Sequence, residues 1–368
     1  MAKRHTYIIE VKFVNFRDEC AIGTQTSGYL MSNGRTDTFD FKRNGFTITA
    51  ERSTIYVDGT ILSSDRNGLY GQVLKGLLVY YALSNDYPKV KSISIVRKRK
   101  NPYTDITYSE TSSFSQPLTP ALPKPLVFTN ANINVLLEET EKGAAVRIAM
   151  TYWLKANNSI DPYLKFDRYW KAYDRLLLYE GNTTTQRTAI PIIKATITAN
   201  ENVFVLSKAL TNTYSDAYIR SFSWNHLLSS KSMSYTKLGE ISRRVLEYTD
   251  ARVIRLYQNL LSGSKIQTAL TNAGLMATIN THFANNATTN QDIDIVLLMS
   301  LSYTYYIRCK LFHGEVPDST FKLQKTNEDR EIDELNKLLE LVVFELLEHN
   351  NICLLYTSDA ADDTLRVD

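Results

Sequence analysis

The stretch DIDIVLLMSLSYTYYIRCKLFHGE, residues 292–315, decides how the C-terminal part of this chain folds. Apolar side chains surround it on almost every side from Asp292 to His313, whereas a surface helix keeps one polar face. Gly314 can adopt the left-handed conformation that ends a helix, and Pro317 follows within three residues. We therefore expect residues 292–313 to form a central buried helix that ends next to Gly314.

Four further segments carry apolar residues at helical spacing and can pack around this central helix. In the second segment the apolar residues form a stripe of aromatic and leucine side chains, and Gly181 can cap its end. In the last segment glutamates occupy the face opposite the apolar one. Residues 182–206, in contrast, are irregular or strand-like in pattern. The four predicted helices are Val135–Ala156, Tyr163–Tyr179, Tyr235–Leu261 and Arg330–Glu348.

The first 113 residues are rich in predicted β-strands. Alternation of apolar and polar residues indicates strands, and Asp58 followed by Gly59 is typical of a tight turn. One helix is predicted among the strands, over Leu69–Leu83, from its helical apolar spacing. The predicted strands are Tyr7–Phe13, Phe46–Ala50, Thr54–Val57 and Val90–Val96.

Residues 114–125, FSQPLTPALPKP, are the best candidate for a linker. Proline at this density blocks helices and sheet ladders and favours extended geometry. The sequence therefore predicts an α+β chain with a β-rich, basic recognition domain over 1–113, a proline-rich linker, and an all-α helical bundle over 126–352.

Length and composition fit a globular protein of about two domains, since the chain has 368 residues, of which 43% are hydrophobic and 22% charged. The opening residues lack the apolar core of a signal peptide. The most apolar stretch, Ile295–Ile307, contains polar residues and is shorter than the ~20 residues of a membrane span. Three cysteines without a CxxC pair indicate neither a disulfide framework nor a cysteine zinc site. We expect a protein of the reducing cytoplasm.

The last residues, CLLYTSDAADDTLRVD at 353–368, resemble a translated sequencing-library transposase adapter. So long a match is improbable by chance, and we expect the tail to derive from adapter DNA. The alternative is a genuine acidic, disordered tail. Without this tail, which carries a net charge of −3, the net charge of the chain rises from +3 to +6.

The positive charge of the remaining chain lies in its first part. Residues 1–125 hold 17 lysines and arginines against 11 acidic residues, whereas residues 126–352 hold 24 of each kind. A basic module joined to a neutral one favours a polyanionic partner.

Arg308 and His313, at the end of the predicted central helix, are the candidate catalytic pair. RNA is cleaved when its own 2′-OH attacks the adjacent phosphate, which requires proton transfer and a cation that stabilises the phosphate. Histidine titrates nearest neutral pH and suits the proton transfer. Arginine stays charged and binds phosphate oxygens bidentately. Five positions rotate an ideal helix by about 140°, so the two side chains can meet only if the helix ends near Gly314. This chemistry requires no metal and no other cofactor.

The motif Arg-x4-His followed by Gly, placed between an apolar helix and a final amphipathic helix, resembles the signature of the HEPN (higher eukaryotes and prokaryotes nucleotide-binding) superfamily. The upstream segment FDRYWKAYDRL, residues 166–176, resembles an early helix of the larger HEPN domains. The resemblance covers roughly residues 132–350.

Many HEPN proteins are metal-independent endoribonucleases of toxin–antitoxin, abortive-infection and other antiphage systems, and they act as dimers with two Arg/His pairs facing each other. The resemblance implies that Arg308 and His313 are the catalytic residues of a homodimeric bacterial ribonuclease, controlled by a phage-derived trigger or an antitoxin. Active members often have Asn, Asp or His after the arginine, where this chain has Cys309.

Two other functions stay open. The first alternative is a catalytically inactive HEPN module that binds RNA or a partner protein without cutting, which Cys309 would suit. The second is an antitoxin-regulated partner of a nucleotidyltransferase.

Further cations and aromatic residues are weaker candidates for RNA contacts. Lys310 lies between the two catalytic candidates in sequence. Tyr103 and Tyr108 could stack on bases. A basic run at the end of a predicted strand could bind phosphates, although a solvated strand end is the favoured interpretation. That run consists of Arg97, Lys98, Arg99 and Lys100.

The remaining polar residues have simpler explanations. Arginines and acidic residues alternate along the predicted helix Tyr235–Leu261, which is typical of a solvated, salt-bridged face. Cys309 could be an activated nucleophile beside Arg308, but a buried structural thiol is the favoured interpretation. The isolated histidines lack the spacing of a metal site. They are His5, His226, His282 and His349.

Overall fold

The computed structural model describes residues 5–14, 22–29, 34–54, 56, 61–63, 67–85, 87–99, 106–110, 118, 126–228, 234–312 and 323–349. The chain divides into two compact units, Met1–Thr184 with Leu346–Asp368, and Thr185–Glu345. The first unit contains a β-sheet and helices, and the described part of the second is helical. The chain is therefore α+β, as predicted. No helix within the described ranges is both long enough and apolar enough to cross a membrane.

The division between the two units falls at a different place from the predicted linker. The units separate after Thr184, inside the region predicted as one helical bundle. Of the proline-rich segment 114–125, only Leu118 belongs to the described residues, and it is buried. The role of that segment as a linker stays a prediction, and so does the origin of the tail 353–368, which lies outside the described residues.

Six strands form one antiparallel sheet among the described residues. The central strand β1 pairs with β4 on one side and β5 on the other. The order across the sheet is β2-β3-β4-β1-β5-β6. The strands are β1 (His5–Phe13), β2 (Thr24–Gly28), β3 (Thr36–Lys42), β4 (Gly45–Arg52), β5 (Val90–Arg99) and β6 (Ile106–Glu110).

Three of the predicted strands are confirmed as parts of β1, β4 and β5, while β2, β3 and β6 were not predicted. The prediction of a strand over Thr54–Val57 is wrong for Thr54 and Tyr56, which lie after the end of β4 and outside any strand. There the hydroxyl of Tyr7 donates to the Thr54 carbonyl and accepts from the Tyr56 backbone amide, at 3.1 Å each, so a side chain replaces a strand partner. The Asp58–Gly59 turn lies outside the described residues.

One face of the sheet is covered by helix α1 (Gly68–Leu83), which confirms the predicted helix. Asn67 caps it by accepting from the Leu69 backbone amide at 2.9 Å. Gly76 lies so close to the ring of Phe46 that a Cβ would come within 2.3 Å of it. The hydroxyl of Tyr80 donates to the carbonyl of Gly45 at 2.5 Å. Alternation in β1 and β4 thus gives the sheet one buried face, and α1 packs against β4 on that face.

After the sheet come α2 (Asn130–Ile133), a 3-10 turn (Asn134–Leu137), α3 (Glu141–Asn157) and α4 (Pro162–Glu180). The predicted helix Val135–Ala156 is wrong at its start, because α3 begins only at Glu141. Thr140 caps α3 by accepting from the Gly143 amide at 3.0 Å. A side-chain cap of this kind satisfies an amide in the first turn of a helix, so the helix starts at this point.

Helix α4 confirms the prediction of Tyr163–Tyr179. Asp161 caps its start and Gly181 its end. Every member of the predicted apolar stripe is buried: Phe166, Tyr169, Trp170, Tyr173, Leu176 and Leu177. This helix packs closely against α3.

The helices that follow are α5 (Gln186–Ala199), α6 (Val205–Asn212), α7 (Asp216–Arg220), α8 (Tyr235–Leu246), α9 (Ala251–Leu261), α10 (Lys265–Asn272), α11 (Met276–Asn285), α12 (Asp292–Leu297), α13 (Thr304–Phe312) and α14 (Asn327–Glu348). They belong to the second unit, except for the last three residues of α14.

Helix α5 shows that the prediction of irregular or strand-like structure over 182–206 is wrong for residues 186–199, whereas 182–185 are irregular as predicted. Its β-branched residues and Pro191 disfavour a helix locally. Ala189, Ile193 and Ile197 nevertheless repeat every four residues, and all three are buried. Burial of this face outweighs the local propensity.

The predicted single helix Tyr235–Leu261 is also wrong, because it is divided into α8 and α9 at Asp250. The fully buried carboxylate of Asp250 caps α9 by accepting from the Arg252 amide at 2.8 Å. It also forms a 2.8 Å ion pair with the buried Arg252 guanidinium. Arg252 is salt-bridged as expected, but it is buried, so the prediction of a solvated face is wrong for this residue.

Helix α14 confirms the predicted apolar face and corrects the opposite one. Leu346, at the end of this face, is half-buried, and the other predicted residues of the face are buried: Ile332, Leu335, Leu339 and Val342. The glutamates were expected on a solvated face, but Glu331, Glu334 and Glu345 are each 5% exposed or less. A buried carboxylate requires hydrogen-bond donors, and the donors come from other elements of the fold.

Candidate functional site

The central helix predicted from residues 292–313 is present as an unbroken helical run from Asp292 to Phe312. Its middle, Leu298–Tyr303, is a π-helix, and all but one of the six residues there are buried. The hydroxyl of Thr304 donates to the Met299 carbonyl at 3.0 Å, five residues earlier. Single π-helical turns are frequent at functional sites. The prediction of a buried helix is confirmed over residues 293–304, whereas in α13 only Thr304 and Ile307 are buried. A widened turn precedes Arg308.

Arg308 lies on α13 and is half-buried. Its guanidinium carbon lies 4.5 Å from the centroid of the Phe312 ring, one turn later. Phe312 is 51% exposed, so the stacked pair is at the surface of the second unit. An arginine held against an aromatic face keeps its hydrogen-bond donors in a plane and loses little freedom when it binds an anion.

His313 lies outside the described residues, as do Gly314 and Pro317. Phe312, the last residue of α13, immediately precedes His313 in the chain. The distance between the Arg308 and His313 side chains therefore stays a prediction of the sequence.

Lys310 was a weaker candidate for substrate binding, and the structure places it in an ion pair. Its ammonium group donates to the carboxylate of Glu328, in the first turn of α14. This pair is partly buried, with the two side chains 28% and 12% exposed. Lys310 therefore links the end of α13 to the start of α14 and shares its charge with Glu328.

His226, which the sequence left as an isolated histidine, packs against α13. Its ring is parallel to that of Tyr306, with centroids 4.0 Å apart and planes at 4°. Its Nδ1 lies 3.2 Å from the Ser223 carbonyl oxygen. Burial lowers the pKa of His226 to about 4, helped by the positive charge of Arg244 and opposed by the bond to Ser223. The imidazole is therefore neutral at pH 7, and its Nδ1–H donates to Ser223.

His226 lies in the 3-10 turn Trp224–Leu227, and the buried carboxylate of Glu331 from α14 holds the residue before this turn. Glu331 accepts from the backbone amide and the hydroxyl of Ser223, both at 3.1 Å. Its other oxygen accepts from the hydroxyl of Tyr303 at 2.7 Å. Burial, and then this bond to Glu331, raises the pKa of Tyr303. Glu331 thus connects α14 to the end of the π-helix and to Ser223, which precedes the 3-10 turn of His226.

The sequence could not have revealed this group of residues. Ser223 and Glu331 are 108 positions apart, and no local spacing relates them. The alternation of Phe222, Trp224 and His226 indicates that these rings are packed, but it does not show which residues they contact. Trp224 and Tyr303 pack with ring centroids 4.6 Å apart.

Cys309 is half-buried, so the expectation of a buried structural thiol holds only in part. Its hydrogen bond to Tyr305, together with burial, raises the pKa of that tyrosine. Tyr305 is 38% exposed. Across the part of the chain that the structure describes, no three His, Cys, Asp or Glu residues cluster as metal ligands would.

The predicted basic run lies at one end of β5. Arg97 is half-buried and Lys98 is exposed. The backbone of Arg99 belongs to β5 and that of Tyr108 to β6. Lys100 and Tyr103 lie outside the described residues. Among the side chains of this run that the structure describes, Lys98 is therefore the exposed cation.

No family model, curated protein or solved structure matches this chain.

Proposed function

We propose that this protein is a metal-independent endoribonuclease of the HEPN type, which acts in a bacterial antiphage or toxin system. The observation that carries the proposal is the position of Arg308. Its guanidinium lies on a half-exposed aromatic ring at the end of a buried helix, and the helix is followed directly by His313. A cation and a proton-transfer group meet the needs of RNA cleavage by the 2′-OH.

In the proposed reaction, neutral His313 accepts the proton of the 2′-OH, whose oxygen then attacks phosphorus. The bond to the 5′-oxygen breaks and the leaving oxygen takes up a proton from water, which gives a 2′,3′-cyclic phosphate and a 5′-hydroxyl, and His313 returns its proton to the solvent. Arg308 binds the non-bridging oxygens while negative charge develops on them. The proposed enzyme is a homodimer, and a phage-derived trigger or an antitoxin controls it.

The test is cleavage of total bacterial RNA by the purified protein in the presence of EDTA. We expect His313→Ala to lower the cleavage rate by a factor of about 10² to 10⁴. We expect Arg308→Ala to lower it about 10²- to 10³-fold. Matched controls are His349→Ala and Arg243→Ala, which lie outside the proposed site and should leave the rate unchanged.

Three results would contradict the proposal. Equal rates in His313→Ala and the wild type would exclude His313 as the proton-transfer group. Cleavage that EDTA abolishes would exclude a metal-independent reaction. RNA binding without cleavage, with and without extracts of phage-infected cells, would favour the inactive binding module instead.

A further inference from the structure

A second basic cluster lies at the opposite end of the sheet from Arg97 and Lys98. Here the end of β1 meets the turn between β3 and β4 and the start of β5, because Lys12 pairs with Gly45 on one side and Ser92 on the other. The Phe13 amide donates to the Asn44 carbonyl at 2.8 Å, which holds the turn against β1.

A cavity of about 320 Å³ opens at this corner, and we call it the sheet-end cavity. This volume is at the lower end of the range for small-ligand sites, about 300–1,000 Å³. Three lysines from three different strands converge on it. Its polar side chains are Glu10, Lys12, Lys42, Asn44, Thr47 and Lys91.

The floor of the cavity is rigid. Gly45 has φ +148°, and a Cβ there would lie 1.9 Å from the Val11 carbonyl oxygen. The carbonyl of Gly45 accepts from the buried Tyr80 hydroxyl at 2.5 Å. Phe13 and Phe46 close the interior side and are 4% and 1% exposed. The lysines therefore project from a floor that has little freedom to move.

Positive charge exceeds negative charge at this corner. Lys12 pairs with Glu10 at 3.0 Å and Lys42 with Asp40 at 3.3 Å. These side chains are all 39% exposed or more, so each pair is weak and either lysine can exchange its carboxylate for another anion. Lys91 is exposed and forms no ion pair with any described residue.

We propose that the sheet-end cavity binds the phosphate group of a nucleotide or of a single-stranded oligonucleotide. Lysine is a compact, mobile charge that suits phosphate, and Asn44 and Thr47 supply neutral donors beside it. Both aromatic rings at the cavity are buried, so they offer bases no face to stack on. The site recognises phosphate rather than base, and binding is independent of sequence. It lies in the first unit and does not depend on the proposed nuclease activity.

The test uses the full chain and a fluorescein-labelled DNA strand of about ten nucleotides, followed by anisotropy. DNA lacks the 2′-OH, so the measurement is separate from RNA cleavage. Lys91→Gln is compared with Lys265→Gln, which removes an exposed lysine of α10 that belongs to neither candidate phosphate site. We expect Lys91→Gln to weaken binding about fourfold at about 0.15 M salt, and Lys265→Gln to change it little. Lys12→Gln should match Lys91→Gln.

Competition identifies the source of the phosphate. Displacement by pyrophosphate or a mononucleotide indicates a terminal phosphate, whereas displacement by an unlabelled strand alone indicates a backbone diester. Either result supports the site if Lys91→Gln weakens it. The proposal is overturned if the wild-type chain does not bind the strand at low salt, if the two glutamine variants lose affinity equally, or if polyglutamate displaces the strand as well as nucleic acid does.

Discussion

The rings of His226 and Tyr306 lie face to face, with centroids 4.0 Å apart and planes at 4°. This contact joins the loop after α7 to the helix that carries Arg308, two residues beyond Tyr306. His226, to which the sequence assigned no role, therefore packs against the helix that positions Arg308.

Replacement of the His226 ring tests this support. We expect His226→Ala to lower the free energy of unfolding by about 1–2 kcal/mol, because the stacked ring pair and its buried area are lost. His226→Phe keeps a ring against Tyr306 and should recover most of the loss. Urea denaturation measures both, and RNA cleavage should follow the same order. Equal destabilisation by alanine and phenylalanine would show that the stacking contributes nothing.

The pH dependence of stability follows from the same residue. Its pKa is lowered from 6.5 to about 4 on folding. Between these values the unfolded chain binds more protons than the folded chain, so acid favours unfolding. We expect the stability of the wild type relative to His226→Phe to fall as the pH decreases from about 6.5 to about 4, by at most about 3 kcal/mol. Denaturation at a series of pH values checks this, and a constant difference between the two proteins would contradict it.

Glu331 is predicted to be a principal stabilising residue of the second unit. Glu331→Ala removes the acceptor of the Ser223 and Tyr303 hydroxyls and leaves the Ser223 amide only the Tyr303 hydroxyl oxygen at 3.2 Å, which should lower the free energy of unfolding by about 2–4 kcal/mol. Asp333→Ala is the matched control, because Asp333 is an exposed acid on the same helix and should change stability by less than about 0.5 kcal/mol. Chemical denaturation would refute the assignment if both variants were equally stable.

Asp250 combines a helix cap with a buried ion pair, and these roles can be separated. Asp250→Ala removes the cap of α9 and one of the two carboxylates that pair with Arg252, the other being Asp292 at 2.5 Å, at an expected loss of about 2–4 kcal/mol. Ser264→Ala removes a cap, in which the serine accepts from the Gln267 amide at 3.1 Å, and a hydroxyl bond to the Leu261 carbonyl, but no ion pair, and should lose about 1 kcal/mol. Thermal or urea unfolding compares them. Similar losses would mean that the buried pair adds nothing beyond capping.

Two helical glycines should respond in opposite directions to alanine. A Cβ at Gly76 would collide with the ring of Phe46, so Gly76→Ala should lower the free energy of unfolding by about 1–3 kcal/mol. Gly239 in α8 has no atom within 4 Å of the added Cβ, so Gly239→Ala should raise it by about 0.5–1 kcal/mol. Destabilisation by both would contradict the open surroundings of Gly239.

The elements that the sequence predicted correctly have a strong local signal. In β1 the alternation is regular, and in α4 the apolar stripe is continuous, so the element and its buried face follow from the spacing alone. The failures lie where a local signal is weak or ambiguous. The β-branched residues and proline of α5 resemble a strand, and Asp250 resembles the acidic residues of a solvated helix. In both cases distant packing partners, which no local window contains, decide the structure.

In the candidate site, too, some features follow from the local sequence and others depend on distant residues. By residue type and spacing alone, Arg308 and His313 are the candidates, and the sequence predicts that the helix leading to them is buried, because an element that is apolar all round has no face to offer water. Residues 293–304 are almost all buried in this way, whereas α13 is partly exposed. The tertiary structure decided the partners: Phe312 under Arg308, Glu328 beside Lys310, and His226 behind Tyr306. Burial faces follow from the periodicity of one segment, whereas the partner of a buried polar group comes from a segment far away in the chain, and only folding brings the two within hydrogen-bond distance.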